Sequence, residues 1–145
     1  MKASNISAFK AAILADPALT AFLAAGNDGS IAAYYNAPGT GLIWRPSIQI
    51  TELNTAIVWS DFALLSALLQ NTYIAMISSG FVDATSARIR NGFSTVFTIG
   101  ASLTNLTAIA QQVPTRFEAL FTTAQVTTEF GTQVRVEDVV IARTS

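Results

Sequence analysis

Apolar residues recur along most of this chain at intervals of three to four, and at intervals of two only near its end. The first spacing is that of a helix face and the second that of a strand. The longest helical stretch is 59–80. Phe62, Leu65, Leu69, Tyr73 and Met76 fall on one face, and Leu64, Leu68 and Ala75 on another. Only Ser66 and Gln70 make a narrow polar stripe. A helix apolar nearly all round belongs in a core. A central buried helix over about 60–79 is therefore expected, capped by Ser60 or Asp61 and ended by Gly80.

The other elements fall on either side of it. Ser4 or Asn5 is placed to cap a first helix carrying Phe9, Ile13 and Leu14. Asp16-Pro17 starts a second, with Leu19, Phe22 and Leu23 inward. A turn at 26–29 precedes a short helix through Ile31, Tyr34 and Tyr35. The stretch 42–50 reads as extended, because Pro46 biases Arg45 away from helix and 47–50 alternates. After the central helix, Asp83 caps a helix over 84–97, with Gly92 as a weak point in its middle. Further helices are expected over 101–112 and from Pro114, where Phe117, Leu120 and Phe121 pack inward. Val126, Thr128, Phe130, Thr132, Val134 and Val136 then alternate with polar residues, which predicts a strand or hairpin over 126–136. Glu137-Asp138 starts a last short turn over 139–143. The fold class expected is mainly α: one domain, 1–145, a compact helical bundle with an extended tail over about 124–145.

Composition changes the picture at the surface. Of 145 residues, 51% are apolar and only 12% charged, about half the usual charged share. A solitary domain normally carries more surface charge, so much of this surface is expected to meet other protein. Eight basic and nine acidic residues give a net charge of −1, with no cluster of the kind that phosphate binding needs. Nucleic acid is therefore not expected as the main ligand. The uncharged run 62–82 is long enough to cross a bilayer. Its internal Ser66, Gln70, Asn71 and Thr72, and the lack of flanking basic residues, favour a buried helix over a span. Lys10 and Asp16 interrupt the first apolar run, so no signal peptide is expected.

Candidate chemistry is sparse. The chain has no His and no Cys, which removes imidazole acid–base work, Ser-His-Asp and Cys-His nucleophiles, and the commonest metal ligands. Glu137 and Asp138 are the one adjacent acidic pair, better explained as a helix start than as an acid–base pair. Gly39-Thr40-Gly41 lacks the ending of a phosphate-binding loop and reads as a turn. Arg88 and Arg90 read as a solvated face or a subunit salt bridge. No catalytic, cofactor-binding or metal residue is assigned, and no cofactor. Trp44 and Arg45 are candidates for a cation–π contact and an interface hot spot. With Ile48 of the extended stretch, and Phe130, Val134 and Val136 of the tail, they form the candidate interface set.

Several short patterns occur in a fixed order: Ala-Ala-Tyr-Tyr-Asn-Ala-Pro (32–38), Ser-Ala-Arg-Ile-Arg-Asn-Gly-Phe-Ser-Thr-Val-Phe (86–97), Pro-Thr-Arg-Phe-Glu-Ala-Leu-Phe (114–121) and Val-Arg-Val-Glu-Asp-Val-Val-Ile-Ala-Arg (134–143). In this the chain resembles a group of small proteins of tailed bacteriophages. The resemblance implies a structural gene product of the virion, assembled in the host cytoplasm, and carries no catalytic residue over. Its partners would be other virion proteins, capsid or connector subunits, and copies of itself. A head-associated cement or junction subunit is the first expectation. A tail component or an assembly chaperone is the alternative, with a small membrane-associated protein behind them.

Overall fold

In the computed structural model, residues 2–145 are described, except for the side chains at positions 3 and 4. The chain is mainly α. Its elements in order are α1 (Ala3–Ala15), a 3-10 turn (Pro17–Leu19), α2 (Thr20–Ala24), α3 (Asp28–Asn36), β1 (Ile43–Trp44), β2 (Ile48–Gln49), α4 (Ile50–Ala56), α5 (Trp59–Ala63), α6 (Ala67–Ile77), β3 (Phe81–Val82), α7 (Ala87–Val96), α8 (Ser102–Ile109), β4 (Gln111–Gln112), α9 (Arg116–Leu120), β5 (Thr122–Thr123), β6 (Val126–Thr127) and α10 (Val136–Thr144). The strands form three antiparallel pairs, β1 with β4, β2 with β3, and β5 with β6.

The elements gather into two compact units. A terminal unit takes residues 2–41 with 113–145, and a middle unit takes 42–112. Each has its own apolar core. In the terminal unit Phe9, Ile13, Leu19, Ile31, Tyr35, Phe117 and Val139 are buried together. Its centre is aromatic. Phe9 meets Tyr35 and Phe117 edge-on at 4.9 and 5.1 Å, and Phe117 meets Phe121 at 5.0 Å. In the middle unit Ile48, Leu53, Tyr73, Phe93, Phe97 and Leu106 form the core.

α1 begins at Ala3 with Lys2 at its cap position. Asn5 therefore lies inside the first turn rather than at the cap, and the side chain of Ser4 is outside the described set. Asp16 caps the 3-10 turn by accepting from the Ala18 N–H at 3.0 Å, as Asp-Pro predicts. The extended character of 42–50 is present as β1 and β2. Ile43 pairs with Gln112 and Ile48 with Val82.

Two expectations are corrected. The helix over 59–80 is two helices. α5 ends at Ala63, and Ser66 caps α6 by accepting from the Leu69 N–H at 3.4 Å. Ser60 and Asp61 do not cap it, since Val58 holds the cap position. The Asp61 carboxylate instead accepts from the N–H and hydroxyl of Ser102 at 3.0 and 2.9 Å. Gly100 permits this approach: with φ of +84°, it sits where any Cβ would collide with the Asp61 carboxylate. The break leaves α6 eleven residues long. Among the described residues no single helix is long and apolar enough to cross a bilayer, and the one bent pair that passes by composition, Asn5–Ala15 with Pro17–Ala24, turns through 76°.

The second correction is the tail. Only Val126 and Thr127 of 126–136 are strand, paired with Thr122 and Thr123 across Ala124 and Gln125. Both turn residues have positive φ, 50° and 65°, the conformation of a tight hairpin turn. Beyond Thr127 the chain is captured by polar groups. The buried Glu118 accepts from the Thr115 N–H at 2.7 Å and from the Gly131 N–H. The buried Glu129 accepts from Asn5 at 2.5 Å and pairs with Lys2 at 3.1 Å. The side-chain amide of Asn36 bonds the N–H and C=O of Val134, each at 2.8 Å. It thereby acts as a one-residue strand partner. These bonds satisfy the backbone without a ladder, so the alternation in sequence does not become a strand.

Candidate interaction surface

The stretch expected to be the most buried is half exposed. In α6 only Tyr73 and Ile77 are buried. Leu68 is 75% exposed and Ile74 53%; before α6, Leu64 is 75% and Trp59 61% exposed. Ala67, Asn71, Thr72, Ala75 and Ser78 are exposed beside them. These α6 positions share one side of the helix by its period. The result is an outward face with no charge, flanked by large apolar side chains. Surface of this kind marks contact with protein or membrane rather than solvent.

Under that face, Tyr73 packs edge-on between Phe62 and Phe97, at 5.9 and 5.4 Å. Its hydroxyl is buried and has no hydrogen-bond partner among the described residues, and burial pushes its pKa up to about 12. Gly92 is compatible with an unbroken α7, since its bare Cα faces the end of the Met76 side chain.

The candidate interface residues divide. Trp44 does meet a guanidinium, but it belongs to Arg90, 4.9 Å from the ring centre. Arg90 also donates to the carbonyls of Ala84 and Thr85, at 2.7 Å each. Arg45 points elsewhere. It forms a two-pronged pair with Glu52, at 2.7 and 3.1 Å, and donates to the Ile109 carbonyl at 2.9 Å. That guanidinium holds the Glu52 carboxyl below the usual range, helped by the Gln49 N–H. The expected Trp44–Arg45 contact is thus replaced by Trp44–Arg90. Arg45 follows β1 directly, and its guanidinium is taken by Glu52 and the Ile109 carbonyl, so the neighbour in sequence is not the neighbour in space. Ile48 and Val134 are buried, one in each core, so they serve the chain's own packing. Phe130 is half-buried and Val136 exposed, both in the terminal unit.

A cleft of about 450 Å³ in the terminal unit is lined by Ala12, Asp16, Tyr34, Gly39, Arg116 and Leu120, among others. The Arg116 guanidinium lies over the Tyr34 ring, 3.9 Å from its centre, and donates to the Tyr34 carbonyl at 3.4 Å. Hydrogen bonding with the Asp16 carboxylate raises the Tyr34 pKa, with burial adding to it and Arg116 opposing it. Arg116 and Tyr34 thus hold each other, as residues of a structural cluster do. Glu118, two residues after Arg116 in the 114–121 segment, is the buried carboxylate that holds the tail. Among the described residues, no three acidic side chains converge as a metal site would need.

Sequence reasoning missed the exposed α6 face. A signal was present: Ser66, a good N-cap residue, interrupts the run three residues before Leu69. It missed Asp61–Ser102 and Asn36–Val134 as well, and no local pattern encodes pairs so far apart. Compared with family models, with curated proteins and with solved structures, the chain matches none.

Proposed function

We propose that this chain is a non-enzymatic structural component of a tailed-bacteriophage particle, acting through protein–protein contacts in a symmetric assembly. The head is the favoured position, as a capsid cement subunit or a head–tail junction subunit. The observation that carries the reading is the uncharged, apolar outer face of α6, on a chain with half the usual charge. Such a face costs solubility when left bare, and interface cores are depleted of charge in the same way. The resemblance of segments 32–38, 86–97, 114–121 and 134–143 to small phage proteins supplies the biological setting. Trp44, Arg45, Phe130 and Val136 remain as contact residues outside that face.

Quantitative mass spectrometry of purified virions carrying the gene tests the proposal. Many copies per particle, in fixed ratio to the major capsid protein, are expected. Absence from finished particles would contradict it and favour an assembly chaperone. To separate head from tail, heads assembled without tails are compared with whole virions: a head component is retained in both.

A further inference from the structure

Resting on that reading, we infer that α6 packs antiparallel against α6 of a second copy, about a two-fold axis beside Asn71. The sequence of the helix is self-complementary about this residue. A helix advances about 100° per residue. Taking Asn71 as the centre of the exposed face, Ala67 and Ala75 lie four residues to either side, displaced by about 40° in opposite senses. Leu68 and Ile74 lie three residues to either side, displaced by about 60°. A two-fold axis that reverses the helix sets Leu68 of one copy over Ala75 of the other, and Ile74 over Ala67. Each large exposed side chain meets a small one, and the Asn71 amides face each other across the axis. Alanines in that row let helix axes approach to about 8 Å. A paired amide fixes register, as a single polar residue does in a helix pair.

The second copy is favoured as occupant by this self-complementarity and by charge. No charged residue occurs over 62–82, so two such faces meet without like-charge repulsion, and nothing on them steers a charged partner. α6 is eleven residues, roughly 16 Å long. Its face falls short of the roughly 800 Å² per partner typical of a stable pair. The contact is therefore weak singly and effective when repeated, which suits a subunit present in many copies.

The chain has no cysteine, so single-cysteine cross-linking is clean. Oxidation of Asn71→Cys is expected to give covalent dimer at least tenfold faster than Ser94→Cys, an exposed control on α7. Ala67→Cys should link poorly to itself but readily when mixed with Ile74→Cys. Equal rates for Asn71→Cys and Ser94→Cys would overturn the inference, as would efficient self-linking of Ala67→Cys. The two proposals fail separately. A chain abundant in virions whose Asn71→Cys does not link refutes this contact alone. A chain that links as described yet is absent from virions refutes the phage-particle role alone.

Discussion

The two units use their polar groups in opposite directions. The terminal unit turns them inward: Glu118, Glu129 and Asn36 hold an irregular tail against an aromatic core. The middle unit keeps its pairs, Arg45–Glu52 and Asp61–Ser102, partly exposed. It turns apolar Leu64, Leu68 and Ile74 outward. Both units leave large apolar side chains at the surface, Leu14, Val136 and Ile141 among those of the terminal unit; those around α6 lie beside an uncharged helix face, which a partner is proposed to complete. Truncating inward groups in the terminal unit should cost stability, and altering the outward face of the middle unit should cost association.

The largest expected effect is in the aromatic core. Phe117 is fully buried, and Phe117→Ala should destabilise the terminal unit by about 4 kcal/mol, read from urea unfolding with amide exchange resolved by residue. A loss below about 1 kcal/mol would mean that this core is not what holds the unit. Next comes Glu118→Ala, which strands the N–H groups of Thr115 and Gly131 and should cost about 3 kcal/mol. Increased exchange confined to 122–135 is the expected signature.

Tyr73 offers the contrast within the middle unit. Removing its unpartnered hydroxyl by Tyr73→Phe should be neutral or stabilising by about 1 kcal/mol. With the folded pKa raised above the ordinary 10.0 to about 12, its contribution to stability is complete below pH 10 and lost between there and about pH 12. Tyr73→Phe should flatten that alkaline limb; an unchanged limb would place the titration elsewhere. The smallest effect belongs to acid. Asp61 is held below its ordinary pKa of 3.8, first by the Ser102 N–H and then by the Ser102 hydroxyl. A lowered pKa gives stability that is present above the ordinary value and lost as pH falls through the folded one. Asp61→Asn should make the middle unit less sensitive to pH below about 4, measured by the fluorescence of Trp44 and Trp59, both of which lie in that unit.

Most helices were legible from their period, their caps less so: Ser86 rather than Asp83 holds the cap position of α7, which begins at Ala87. Asp16-Pro17 and the Phe9–Ile13 spacing appear as read; the helix expected from Pro114 begins at Arg116 with Thr115 as its cap, and Leu120, expected inward, is exposed. The extended stretch at 43–49 was legible because Pro46 constrains it locally. Two features were not, for different physical reasons. The run 59–80 is apolar on every side, and apolarity alone does not tell burial inside the chain from burial against another chain. The tail alternates in sequence, yet its hydrogen bonds go to Glu118 and Asn36, the latter 98 residues away from Val134; pattern cannot see a competitor so remote. The candidate interface was legible in type rather than in place. Trp44 does carry a cation–π contact, with Arg90 in place of Arg45, while Ile48 and Val134 alternate as edge residues would and are nonetheless buried.

Sedimentation of Leu68→Glu beside the unaltered chain, across a concentration series into the hundred-micromolar range, bears most directly on the outward role of α6. Leu68 is exposed, so the substitution should change folding stability by no more than about 0.5 kcal/mol, with the circular dichroism spectrum unchanged. The unaltered chain should grow in mass with concentration, and Leu68→Glu should remain a monomer over the same range. Identical sedimentation of the two proteins, or a monomeric unaltered chain throughout, would contradict the assignment of α6 as the assembling surface.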